Sequence, residues 1–254
     1  MAGLLTRLKT RRERKRRRTQ LEPGFRRMTG RHYHDVLIEI ERRVEPQWYV
    51  EIGSRSGTSI AHRKCNFVAI DPVFRIEADV FNDARELHFM QQTSDDFFAS
   101  EFLGKLGIVP DFAFIDGMHK FEFALRDFMN LEAVMEPGGL IAMHDVCPYD
   151  YAMAERDPAP GTTPFAWTGD VWKTVLVLKE LRPDLRIDVL NAASTGLACI
   201  RNLDPANRGL LERYDEVVAR YLNISMKDVG AEAYLDRIAP RDTDEFLAEL
   251  GSRP

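Results

Sequence analysis

Short apolar runs recur along the middle of this chain, each followed by a mixed segment with helical spacing. The runs that read as strands are 48–52, 67–71, 87–91, 112–115 and 140–143. The segments after them read as helices or connections: one from about residue 57, one opened by Asp95-Asp96-Phe97-Phe98, and one over 121–135. The last of these stops at Glu136-Pro137-Gly138-Gly139, where a proline and two glycines end it. Upstream, Val36, Leu37, Ile40 and Val44 share one side of a predicted helix over 31–45. Downstream, a helix is predicted at 170–181. Ile187–Leu190 and Leu197–Ile200 then read as strands joined by the short turn Asn191–Gly196, an antiparallel hairpin.

Alternating strands and helices followed by a hairpin predict an α/β fold. The expected architecture is a doubly wound, mostly parallel seven-stranded sheet of Rossmann-like type, ending in an antiparallel β-hairpin. Helical additions are expected at both ends. The expected division is a tail over 1–28, a main domain over 29–203 and a helical extension over 204–254, with breaks near Ile224-Ser225 and Pro240. Residues 146–169 interrupt the alternation with four prolines, two glycines and several aromatics. A loop of that length inside a compact domain is usually functional, and it reads as a lid on the substrate side.

Composition changes this picture little. The chain has 254 residues, 44% hydrophobic and 30% charged, the balance of an ordinary soluble protein. No apolar run approaches the ~20 residues that span a bilayer. Cys65, Cys147 and Cys199 are too far apart for a disulfide framework or a zinc pattern, so buried inert thiols in a reducing cytoplasm are expected. Charge is more informative. The net charge is −5, yet residues 7–18 carry nine Lys or Arg and one Glu, leaving −13 for the rest. The plain reading is a solvated tail; weak contact with a polyanion is the alternative.

The candidate chemistry lies at strand ends, where ligands bind in open α/β sheets. The first strand runs into Gly53-Ser54-Arg55-Ser56-Gly57, a turn in which Gly53 and Gly57 let the backbone bend and approach a ligand. A helix after it would aim free N–H groups into the turn. Asp71 follows about eighteen residues on, at the end of the second strand, where a carboxylate can accept from a ribose diol. Together they predict a pocket for an adenosine-containing cofactor. Alone, the glycines are a strand-to-helix turn and Asp71 a cap before Pro72. Asp116 and His119 end the fourth strand, and His144 and Asp145 the fifth. Carboxylates suit a hard cation, and a histidine suits proton transfer near neutral pH. The bland reading is a capping Asp with a surface His.

In order, Val50-Glu51-Ile52-Gly53-x-x-x-Gly57-x-Ser59, Ala69-Ile70-Asp71-Pro72, Phe114-Ile115-Asp116-Gly117-Met118-His119 and Glu136-Pro137-Gly138-Gly139 with His144-Asp145 resemble class I S-adenosylmethionine-dependent methyltransferases. The nearest branch is that of macrolide sugar and catechol-type O-methyltransferases, and the likeness covers about 48–201. It implies S-adenosylmethionine as cofactor, held by Glu51, Gly53, Ser54, Gly57, Asp71, Thr93, Ser94 and Asp116. Glu51 would lie near the amino-acid end or hold the loop, and Thr93 and Ser94 would border the adenine, with Asp95 supplying an acidic group there. His119, Asp116, Asp145 and His144 would be catalytic. Asp116 and Asp145 would hold Mg²⁺ or another divalent cation. The acceptor would be a small hydroxylated molecule, a sugar or a phenol.

One departure stands out. Metal-using relatives place an acidic residue or Asn beside the aspartate after the fifth strand, and this chain has His144. Imidazole suits transition metals or zinc better than Mg²⁺. Where the lid ends and the next helix opens, Trp167, Trp172 and Lys173 are candidate acceptor contacts, with Asp170 as a helix cap; Arg156, Tyr149 and Tyr151 in the lid are weaker candidates, and Trp172 as core and Lys173 as a solvated charge are the competing readings. A homo-oligomer is a further expectation. A nicotinamide-dependent dehydrogenase fits less well, because Ser54-Arg55 stand where a second glycine belongs. A base methyltransferase fits less well too, lacking the Asn/Asp-Pro-Pro-aromatic signature. A cofactor-binding protein without methyl transfer, such as a metal-binding hydroxylase-like one, is the rival from another class.

Overall fold

The structure, a computed structural model, describes residues 21–81, 85–164 and 166–251. The basic run at 7–18 lies outside the described residues. Seven strands form one sheet: β1 (Trp48–Ile52), β2 (Asn66–Ile70), β3 (Leu87–Met90), β4 (Phe112–Ile115), β5 (Leu140–His144), β6 (Arg186–Leu190) and β7 (Leu197–Arg201). Their order is β3-β2-β1-β4-β5-β7-β6. The pairs among β1 to β5 are parallel; β7 lies antiparallel between β5 and β6. The sheet is thus the expected Rossmann-like one, hairpin included.

The central strands are apolar at nearly every position because helices cover both faces. β1 and β4 are buried throughout, whereas edge strand β3 is half-exposed. On one face the core joins Val50, Val68, Ile115 and Ile141 to Leu125 and Phe128 of α4 (Phe121–Glu132) and to Trp172 and Val175 of α5 (Trp172–Leu181). On the other, Tyr49, Phe67 and Phe114 meet Val36, Leu37 and Ile40 of α1 (Tyr33–Val44), with Phe246 and Leu247 of the last helix, Thr243–Leu250. The C-terminal residues therefore complete both layers. Phe25 and Met28 are buried in the first core, so the expected tail gives way to ordered packing before residue 28.

Several boundaries differ from the sequence reading, one with consequence. The helix expected from about 57 is only a single 3₁₀ turn, Ile60–His62. Side chains from α1 and β1 hold this segment down instead of letting it wind. Glu41 accepts from the backbone N–H of Lys64 at 2.6 Å and of Cys65 at 3.3 Å, and Ser59 is tied to Glu51. Among the described residues, no α-helix therefore starts between the glycine turn and β2. β3 stops at Met90, α4 at Glu132, and α5 begins at Trp172. Asp170 does not cap α5. Its Oδ1 accepts from the N–H of Phe121 at 2.8 Å and so caps α4 from across the fold.

Candidate active site

β1, β2 and β4 end at one level, and their loops surround a cavity of about 940 Å³. Gly53 makes the first close approach. Its φ is +96°, and an added Cβ would lie 2.0 Å from the carbonyl oxygen of Asp116, so only glycine passes. Gly57, with φ +78°, packs against Val80 in the same way. Glu51 is wholly buried beneath the turn and does not line the cavity. It accepts from Tyr49 Oη at 2.6 Å and from Ser59 Oγ, and burial pushes its pKa up. Ser54 is likewise buried behind the turn. Glu51, Ser54 and Gly57 thus support the loop, while Gly53 faces the cavity.

Asp71 lies just past β2 on the cavity wall. Its carboxylate accepts from the N–H of Arg55 at 3.0 Å and of Val73 at 2.7 Å, which joins the first two loops. Thr93 caps α2 (Ser94–Ala99) by accepting from Asp96 N at 3.1 Å, and Thr93, Ser94 and Asp95 all line the cavity. Asp95 is held by Arg126 through two contacts of 2.9 and 2.7 Å.

At the other end of the cavity four titratable side chains converge. Asp116 Oδ1 is 3.2 Å from His119 Nε2 and 3.4 Å from His144 Nδ1. Asp145 Oδ2 is 3.2 Å from His119 Nδ1, and its Oδ1 is 3.4 Å from His144 Nδ1. His119 and Asp145 adopt left-handed backbone, φ +56° and +61°. Such conformations in non-glycine residues cluster where side chains must be aimed. Burial opposes charge on His119, but the hydrogen bond to Asp116 and the charges of Asp145 and Asp116 outweigh it, pushing its pKa up to about 9. His144 moves upward by the same contest, against burial and with Asp145 and Asp116. Burial would raise Asp116, yet His144 and His119 hold it well below the usual carboxylate range.

The donor set also fits a divalent cation. One ligand atom each from Asp116, His144 and Asp145 lie within 4.8 Å of one another. His144 Nδ1 is buried and has no hydrogen-bond partner, although two carboxylate oxygens face it.

Thr163, Pro164 and Trp167 of the loop over 146–169 line the cavity. The Trp167 carbonyl lies 2.8 Å from His119 Nδ1, and its indole N–H donates to Glu155 O at 2.7 Å. Trp172 and Lys173 do not reach the cavity. Trp172 is fully buried against Tyr234, and Lys173 is a buried cation tied to Asp170 and to the carbonyl of Leu222, both at 2.8 Å. Asp170 drew Lys173 inward, and α5 faces the core there. Sequence reading passed over Arg55, Ser56, Arg75 and Asp127 on the cavity wall, and Tyr33, whose ring stacks on His144. Nothing in their local sequence marks them; loop closure brings them in.

Residues 50–146 match a family described as a methyltransferase domain. Over that span the chain is similar to methyltransferase domains. The match spans β1 to β5 and every strand-end residue of the site. No curated protein matches the sequence. Among solved structures, the chain is similar to cofactor-bound Rv0187 from MTB, at 13% identity and a TM-score of 0.49, over 73% of this chain and 84% of that one. It is also similar to the O-methyltransferase TomG of Streptomyces achromogenes, at 16% identity and 0.46, over 68% and 81%. A Bacillus cereus O-methyltransferase shows 15% identity and 0.44, over 66% and 78%.

Among the described residues, no helix is long and apolar enough to cross a membrane. The three cysteines are free, and burial raises the pKa of each, so they are poor nucleophiles.

Proposed function

We propose that this methyltransferase acts on a hydroxyl oxygen of a small molecule, a sugar or a phenol, bound between the lid and the His/Asp cluster. The observation that carries this reading is convergence. Asp116 and His119 line the same cavity as Asp71, with His144 and Asp145 directly behind them.

S-adenosylmethionine, when bound, supplies a methyl group on a sulfonium, which leaves with the electron pair returning to sulfur. The chain's own residues hold and align. Asp71 offers the ribose hydroxyls a carboxylate already fixed by two backbone N–H groups. Gly53 leaves room for the methionyl portion, and Thr93, Ser94 and Asp95 border the adenine. At the acceptor end Asp116 orients the hydroxyl and Asp145 holds His119 from behind; once His119 has released its Nε2 proton, that nitrogen takes the hydroxyl proton while Nδ1–H stays on the Trp167 carbonyl. Asp116 and Asp145 raise His119, and the same carboxylates would hold a divalent cation with His144. A cation there would polarise the acceptor oxygen and ease loss of its proton. Trp167 walls the acceptor side. Most of the rate gain on this reading is alignment and deprotonation.

The test is transfer of labelled methyl to panels of sugars and catechols, with and without divalent ions. His119→Ala is expected to lower turnover by about 100-fold or more while leaving cofactor affinity near that of the parent. Equal loss of both would refute the role given to His119.

A further inference from the structure

Thr195 lies in the turn between β6 and β7 and is buried. Its hydroxyl is 2.6 Å from Asp145 Oδ1 and 3.1 Å from His144 Nε2. A hydroxyl has one proton to give, and a carboxylate only accepts. The short contact therefore takes the proton, and the Thr195 oxygen is left to accept from His144 Nε2–H. That keeps a proton on Nε2, so Nδ1 is the nitrogen whose proton a cation can replace.

Nδ1 points at Asp116 Oδ1 and Asp145 Oδ1, 3.4 Å from each, and bonds to neither. The His144 side chain is only 10% exposed, so water does not fill the space between Nδ1 and the two carboxylates. Either a ring proton or a cation balances them there, and a cation makes ligands of all three groups. Tyr33 fixes the remaining freedom: its ring stacks on the imidazole at 3.8 Å and 25°, holding the ring plane. A strap hydrogen bond from Tyr33 N to Ala193 O, 3.3 Å, ties that ring to the same turn that carries Thr195.

We propose that Thr195 is a positioning residue that presents His144 Nδ1 as a metal ligand, and that the centre thereby selects a transition ion of the Mn²⁺-to-Zn²⁺ series over Mg²⁺. This rests on the reading that a cation occupies the Asp116–His144–Asp145 cluster. A nitrogen donor favours such ions, and an outer-shell hydrogen bond to a ligating histidine typically sets metal affinity by about 10–100-fold.

The full chain, stripped of metal, is titrated with Co²⁺ by visible absorption and with Mg²⁺ by calorimetry. Wild type is expected to bind one Co²⁺ at least about 10-fold more tightly than Mg²⁺. Thr195→Val should weaken Co²⁺ by about 10–100-fold and change Mg²⁺ far less, whereas Thr195→Ser should restore the parent value. Thermal melts followed by circular dichroism check that each variant is folded. A measurement needing no variant is ¹⁵N-histidine NMR of the Zn²⁺-loaded protein, where His144 is expected to carry its proton on Nε2. Co²⁺ bound by Thr195→Val as tightly as by wild type, or a proton on Nδ1, overturns the Thr195 assignment while the cation reading stands. Failure of wild type to bind Co²⁺, with S-adenosylhomocysteine still binding, shows that a proton fills the gap and overturns both.

Discussion

His119 and Trp167 are joined at 2.8 Å, ring nitrogen to backbone carbonyl, so the last residues of the lid hold the imidazole of the site. Two residues on, Gly169 packs its α-carbon against the His119 carbonyl. Its φ is +58°, and an added Cβ would lie 1.8 Å from that oxygen. Gly169→Ala must push the lid end and the His119 loop apart. Displacements near 1 Å cost about 100-fold in rate, so a turnover loss of that order is expected, with S-adenosylhomocysteine affinity held within about 3-fold. Steady-state rates beside calorimetry check this. A variant with parental turnover would mean that lid and imidazole are not coupled.

Glu51 gives the opposite split. It reaches the cavity only through Ser59 and the glycine turn. Glu51→Ala leaves the Tyr49 and Ser59 hydroxyls unpartnered in the core and should cost about 2–4 kcal/mol of stability. Cofactor affinity should fall with it, and turnover at saturating cofactor should change little. Denaturant titration and cofactor saturation curves test the two halves separately.

Asp127 supplies the pH dependence. It is buried on α4 with Oδ1 unpartnered, and burial chiefly, with Asp95 adding, pushes its pKa up to about 7 from 3.8. The folded state thus holds a proton that the unfolded chain has lost between about pH 4 and 7, and this group's contribution to stability falls as pH rises through that window. Asp127→Asn should be more stable than the parent at pH 8 by about 1–3 kcal/mol and about equal to it below pH 4. Melting temperatures across pH 4–8 decide this. An Asn variant that is less stable at pH 8 would show that the ionised carboxylate has a partner.

The sheet was legible because central parallel strands are buried on both faces and must be written as unbroken apolar runs, as Val50, Phe67 and Phe114 show. Polar residues at the ends of such runs gather at the carboxyl edge of the sheet: Asp71, Asp116 and His119 reach the cavity wall, and His144 and Asp145 stand behind them. What escaped reading depends on contacts between distant segments. The stretch after Gly57 reads as helix, yet Glu41 and Glu51 bind its backbone and its Ser59 hydroxyl. Trp172 and Lys173 look like an acceptor wall in sequence, and both point into the core, where Tyr234 and Asp170 receive them. Tyr33 and Thr195 carry no local signal. They meet His144 because the strap before α1 and the β6–β7 turn are stitched together, Gly30 N to Asn191 O at 2.9 Å and Ala193 N to Arg31 O at 2.8 Å.

The central claim is that the glycine turn and Asp71 form an S-adenosylmethionine pocket, and calorimetric titration with S-adenosylhomocysteine in chelator tests it most directly. Wild type is expected to bind one equivalent with micromolar affinity. Asp71→Ala, which removes the ribose acceptor and its two loop contacts, should bind about 10–100-fold more weakly. Absence of binding to wild type, or equal binding by both proteins, would contradict the assignment of this cavity.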